Sequence, residues 1–237
     1  IASQLYQTAD VSHNEFQKQI MPESFYDMVV TNVPFGTSQP YDTRHNAKNY
    51  RIHDYFINKG LNLLRPGGLG VFITSTGSMD KVLRRRIKQP GRTPDYFTEI
   101  SPRNEFAKKA DLIAAIRVPN GIYEGAQASS DILFFRKKGD NLADIEGHEF
   151  RKTDEVKMPE MNRHGVATGF GDITMRINKY WGKNPDNVLG RFGAFEARYG
   201  DKHEVWTFGN PDTLGEDMSK IISKFPTSVL AKPEAQE

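Results

Sequence analysis

Tyr26-Asp27-Met28-Val29-Val30-Thr31-Asn32-Val33-Pro34-Phe35-Gly36 decides how this chain is read. The first six residues are short, apolar and rich in β-formers, which predicts a buried strand over 26–31. An amide, a rigid turn and an aromatic ring follow at the strand's end. The Asn32 side-chain carbonyl accepts a hydrogen bond from an amine. The Phe35 ring offers a stacking face. Together they suit a flat ring carrying an exocyclic amine, such as a nucleobase. The plainer reading is a strand-ending turn with a core phenylalanine.

Working outward, Ile52, Phe56, Leu63 and Leu64 share one helical face, which predicts a helix over 50–65. Pro66-Gly67-Gly68 ends it and turns the chain into a strand over 69–74. Strand, helix and strand in this order make a βαβ unit. Two more apolar β-rich segments follow at 112–118 and 131–136, with helices predicted over 79–88 and 103–110. The alternation argues for an α/β fold with a mostly parallel sheet. The link between the last two strands, through Asn120-Gly121, is too short for a helical crossover. The last strand is therefore expected to run antiparallel.

Asn32-Val33-Pro34-Phe35 resembles the Asn/Asp-Pro-Pro-Tyr/Phe motif of amino-methyltransferases, chiefly N6-adenine DNA methyltransferases. The longer pattern resembles their helicase-linked branch in bacterial mobile elements and phages, where Val commonly replaces the first Pro. Leu64-Arg65-Pro66-Gly67-Gly68, Thr76-Gly77-Ser78-Met79-Asp80-Lys81, 112–120, 130–135 and Asn184-Pro185-Asp186-Asn187-Val188-Leu189-Gly190 carry that similarity. The resemblance implies a partial class I methyltransferase-like (Rossmann-like) sheet and transfer of a methyl group from S-adenosylmethionine to N6 of adenine in DNA. It assigns the catalytic positions to Asn32, Val33, Pro34 and Phe35. The Asn32 side-chain oxygen and the Val33 carbonyl would localise the lone pair of the amine, and Phe35 would stack on the extruded base. RNA or protein-glutamine methylation, or a DNA-contacting or assembly module without catalysis, are the alternatives.

The donor's usual cradle, a glycine-rich turn after a first strand, does not precede Asn32; Gly67-Gly68 and Gly169-Phe170-Gly171 are wrongly placed for it. Residues 1–8 resemble the helix before the third strand of such enzymes, and 10–16 that strand. The chain starts with Ile, and the expectation is a fragment that works with a missing N-terminal part or a partner chain. Alone, it is expected to bind S-adenosylmethionine weakly or not at all.

The 237 residues divide by texture into a motif-bearing half, 1–138, and a mixed α+β extension, 139–237, with helices predicted near 172–183 and 214–224. The first carries Ile173, Ile177, Tyr180 and Trp181 on one face. A net charge of +2 is mildly basic. The run Arg84, Arg85, Arg86 and Lys88 could track DNA phosphates, against a plain solvated helix face. His53 reads as a surface or satisfied residue, and Asp131 as a turn or cap. With no cysteine, disulfides and thiolate metal sites are excluded, which fits a reducing cytoplasm. No apolar run reaches the length of a membrane span.

Overall fold

The computed structural model describes residues 2–87, 96–123, 128–140, 148–196 and 203–225, with the side chains of 83–87, 96–100 and 170 left undescribed. In chain order the elements are α1 (Ala2–Leu5), β1 (Tyr26–Asn32), α2 (Ile52–Leu63), β2 (Leu64–Ser75), α3 (Gly77–Asp80), β3 (Leu83–Ile87), β4 (Tyr96–Ile100), α4 (Pro102–Lys109), β5 (Ala110–Val118) and β6 (Ser130–Lys137). The second half adds β7 (Thr153–Met161), β8 (Ala167–Asn178), α5 (Lys179–Lys183), β9 (Arg191–Glu196), β10 (His203–Phe208) and α6 (Leu214–Ile222). This is a mixed α/β architecture. Two four-stranded sheets run β1-β2-β6-β5 and β10-β9-β7-β8, beside a β3-β4 hairpin.

The first sheet follows the expected plan. β1 and β2 are parallel, from Met28 opposite Leu69 to Asn32 opposite Ile73. β6 runs antiparallel to both β2 and β5 and lies between them. A strand buried on both faces presents alternate residues to each. Phe72, Leu133 and Phe135 enter one core with Ile57, Leu61 and Phe106 of α2 and α4. Ile132, and the flanking Val71, Ile73 and Phe134, enter another with Leu189 and with Ile221 of α6. Each large side chain buried this way contributes about 1.5–3 kcal/mol. Helix α2 can lie this close because residue 60 is glycine: a Cβ there would stand 2.8 Å from the Phe72 ring. The helix ends at Leu63, earlier than the expected 65, and Pro66-Gly67-Gly68 lies within β2, with Gly67 at φ +76° beside the register shift between β1 and β2.

Among the described residues β1 pairs with β2 alone, so its outer backbone edge is open. Val29 packs into the first core, while Met28 and Val30, on the opposite face, are 48% and 66% exposed. An open apolar edge of this kind is a liability in a free sheet.

Three expectations are corrected. The helix over 79–88 is instead the single turn α3 followed by β3, which pairs antiparallel with β4. Lys81 already has extended backbone, and Tyr96-Phe97-Thr98 is a strong strand-forming partner for this segment. The helix over 172–183 is β8 up to Asn178 and only then α5. Ile173 and Ile177 are four apart, which satisfies a period of two as well as 3.6. The inward Met175 between them shows that two is the true period. Residues 10–16 form no strand and α1 is shorter than expected: the run 2–15 is exposed and pairs with no strand among the described residues, although the outer edge of β1 is open.

Candidate active site

The motif sits where β1 ends. The Val33 N–H donates to the Ile73 carbonyl at 2.9 Å, which carries the ladder one step past Asn32. Val33 is then 2% exposed and fills the first core, which points its neighbours outward. Asn32, Pro34 and Phe35 are exposed, Phe35 at 47%. Phe35 is therefore not the core residue of the plainer reading. Among the described residues, no hydrogen bond reaches the Asn32 side chain or the Val33 carbonyl. The Asn32 side chain is exposed at the carboxyl end of the strand, where ligands bind in parallel α/β sheets, and the Val33 carbonyl lies beside it within the buried Val33.

The loop beyond is held by its own polar side chains. Ile52 N donates to Ser38 O at 2.8 Å, and Gly36 lies against Ile52. Asn46, almost fully buried, donates to the carbonyls of Pro40 (2.8 Å) and Tyr50 (3.1 Å) and accepts from Tyr50 N (2.8 Å). Asp42 accepts from the N–H groups of Arg44 and His45, each at 3.0 Å, and from the Tyr55 hydroxyl at 2.8 Å. Burial pushes the Asp42 carboxyl up, but these hydrogen bonds outweigh it and hold it below the usual range.

Behind the motif loop a chain of buried polar groups links three elements. Thr74 at the end of β2 meets Ser78 of α3 at 2.9 Å, and the Ser78 hydroxyl donates to Asp54 of α2 at 2.8 Å. The other Asp54 oxygen lies 3.4 Å from His53 Nε2. Burial raises the Asp54 carboxyl and depresses the His53 imidazole; the negative Asp54 and the Gly36 backbone work against the second effect. His53 is thus buried rather than superficial. Its place at the start of α2, with a carboxylate one residue on, is the signal that sequence reading undervalued.

A second buried cluster holds the two halves of the chain together. Arg117 on β5, fully buried, is bidentate to Asp131 on β6 and donates to Asp80 at 2.9 Å. Asp80 also accepts from Asn178 N at 2.9 Å and from the Trp181 indole N–H at 3.3 Å. The guanidinium lies 4.6 Å from the centre of the Trp181 ring. Burial disfavours the charged guanidinium, but two carboxylates hold it charged; burial raises Asp131. Asp131 is therefore a core ion-pair partner within a strand, not the expected cap.

Arg84, Arg85 and Arg86 lie on β3, opposite Glu99, Thr98 and Phe97 of β4. Lys88 lies outside the described residues. Among the described residues no group of acidic and histidine side chains is arranged to hold a metal ion. No helix among them is long and apolar enough to cross a membrane.

Fold and site together define an α/β protein with an exposed amide and an exposed aromatic ring at the carboxyl edge of its sheet. Residues 3–89, which contain the motif, match the family model of the Eco57I restriction-modification methylase. No curated protein matches. Solved structures similar to the chain include one from Listeria monocytogenes described as a class I S-adenosylmethionine-dependent methyltransferase. It is 18% identical, with a TM-score of 0.35, over 55% of this chain and 37% of that one. The M protein of the type I restriction enzyme EcoKI is 15% identical, with a TM-score of 0.36, over 84% and 48%. A type I modification subunit from Vibrio vulnificus is 14% identical, with a TM-score of 0.37, over 81% and 39%. The chain spans less than half the length of each of these structures, and likeness at these scores carries no functional argument.

Proposed function

We propose that this chain is the acceptor-holding part of a DNA methyltransferase that acts on the N6 amine of adenine. The observation that carries the reading is the pair of unoccupied acceptors, Asn32 Oδ1 and the Val33 carbonyl, next to the exposed Phe35 ring, within the segment that matches a restriction-modification methylase. The lone pair of an aryl amine is shared with its ring. Two acceptors on its two hydrogens localise that pair on the nitrogen, on the face toward an incoming methyl group. The work is done by positioning and fixed dipoles. Val33 keeps its carbonyl and precedes Pro34, which favours the extended backbone this geometry needs. Phe35 would cap the face of a base that has left the duplex.

The methyl donor in this reading is S-adenosylmethionine. Its fit to this chain is poor. The described residues before Asn32 form no strand with a glycine-rich turn, and the neighbouring edge of β1 is open. No step is therefore derived through the donor, whose site would be completed beside the open edge of β1 by further residues of the same protein or by a partner chain. DNA is the proposed second partner, with Arg84, Arg85, Arg86 and Lys88 contributing phosphate contacts. The boundary between a catalytic-motif half, 1–138, and an extension, 139–237, belongs to the same proposal. The deciding experiment is methylation of adenine-containing DNA by the full-length protein, with Asn32→Ala as control. Wild-type transfer by a folded Asn32→Ala protein would remove the motif from the chemistry.

A further inference from the structure

The two four-stranded sheets enclose a cavity of about 450 Å³. It is bounded by Ser75 and Gly77 where β2 ends, by Ser129 just before β6, and by Met175, Val205 and Trp206 of β8 and β10. Its size lies within the range of about 300–1,000 Å³ typical of small-molecule sites. It is also close to the motif. Ser75 is two residues past Ile73, the partner of Asn32, so this part of the lining lies about 7 Å farther along β2, toward its carboxyl end.

Its chemistry is that of a flat, neutral, polar-edged ring. Trp206 forms part of the wall and is already braced by Phe195, at 3.8 Å and 19° between planes, so little side-chain freedom remains to be lost on binding. Met175, Val82 and Val205 add apolar surface. Of the ionisable side chains on the lining, Asp80 is engaged by Arg117, Asn178 and Trp181. Arg176 is paired with Glu155 at 2.8 Å and His203 with Glu160 at 3.1 Å. Lys81 and Glu204 carry no ion pair among the described residues. One free charge of each sign does not favour a phosphate, which needs an excess of cations. It does favour a ring that presents both carbonyl and amine edges.

We propose that this cavity is a second base pocket, which takes the nucleobase of an unpaired nucleotide adjoining the one held at Asn32–Phe35. The inference rests on the DNA methyltransferase reading. Extruding one base costs a few kcal/mol and strips its neighbour of a stacking partner. A pocket just past the carboxyl end of β2 restores stacking to that neighbour and offsets part of the cost.

The chain has two tryptophans. Trp181 is 1% exposed beneath Arg117 and Trp206, on the lining, 9%, so within this chain a ligand in the cavity is read at Trp206, and loss of the quench in Trp206→Phe assigns it there. A short single-stranded deoxyoligonucleotide, titrated into the full-length protein, should quench tryptophan fluorescence. An abasic strand of equal length should not, at the same concentrations. Ala128→Phe places a ring in the cavity and should weaken the base-dependent quench about tenfold or more. Glu204→Gln, at an exposed position, should weaken it without shifting the melting temperature, and it decides the matter if Ala128→Phe does not fold. Equal quenching by the abasic strand, or undiminished quenching in Glu204→Gln, overturns the pocket. Absence of methyl transfer by the full-length protein overturns the enzyme reading instead, whatever the fluorescence shows.

Discussion

Asn32 and Ile73 stand opposite each other in the parallel pair β1–β2, and the next ladder bond, Val33 N–H to Ile73 O, is 2.9 Å long. That bond fixes which way the motif faces. It buries Val33 and leaves Asn32 and Phe35 at the open sheet edge. Substitutions at the two exposed positions should therefore separate chemistry from stability.

Asn32→Ala in the full-length protein removes one of two proposed acceptors for the target amine. The expected loss is about 3–4 kcal/mol in the barrier, by analogy with deleting one preorganised polar group at other active sites. The melting temperature should hardly change, because Asn32 is exposed and without a hydrogen-bond partner among the described residues. Methyl-transfer rates measured beside thermal melting check both statements.

Phe35→Ala should cost about 1–3 kcal/mol in the capture of a base, the usual range for stacking on an aromatic side chain. Its ring is 47% exposed, so the loss should show in DNA affinity rather than in unfolding. A large drop in melting temperature would instead make Phe35 a packing residue.

Arg117→Ala should destabilise the fold by about 3–5 kcal/mol, because it leaves Asp131 and Asp80 buried without their cation. Replacing Arg117 and Asp131 together with apolar residues of similar size should recover much of that loss. Denaturant unfolding of the single and double variants measures the difference, and equal losses in both would show that the charge itself is not the cause.

Asp54 carries a pH signature. Burial raises its carboxyl above the ordinary 3.8, so in the window above that value the folded state holds a proton that the unfolded state has released. Stability should then fall as pH rises through the folded pKa. Asp54→Asn keeps an oxygen for the Ser78 hydroxyl and cannot ionise, so it should flatten this slope. Melting temperatures of the two proteins across the acidic range should converge at low pH; parallel curves throughout would exclude the effect.

Replacing Arg84, Arg85 and Arg86 together with Ala should weaken DNA binding alike on all sequences. It should also reduce the slope of log affinity against log salt by up to about 2–3, one phosphate contact per arginine. An unchanged slope would leave these residues as a solvated strand.

Much of the first sheet was legible because buried strands announce themselves through local composition. The segments at 26–31, 69–74, 112–118 and 131–136 are short apolar runs bounded by turn residues, and the brief Asn120-Gly121 link already required the last strand to reverse. The motif was legible for the same reason: an amide, a proline and a ring are contiguous in the chain. The segment 172–183 was misread because Ile173 and Ile177 satisfy two periods at once, and pairing with β7 chose between them. The basic run at 84–86 was misread as helical because its strand partner, β4, begins only at Tyr96.

The amino-acid sequence by itself determined the strand–helix alternation, the reversed last strand and the chemical character of Asn32–Phe35, because each rests on residues near one another in the chain. Only the tertiary structure decided that Phe35 faces outward, that Arg117 meets Asp131 and Asp80, that Asp54 stands behind the motif loop, and that a cavity opens between the sheets. These relationships join residues 14 to about a hundred positions apart. They form only when burial makes an unpaired charge or an unfilled space too costly to leave, a condition that belongs to the packed molecule and to no single segment of it.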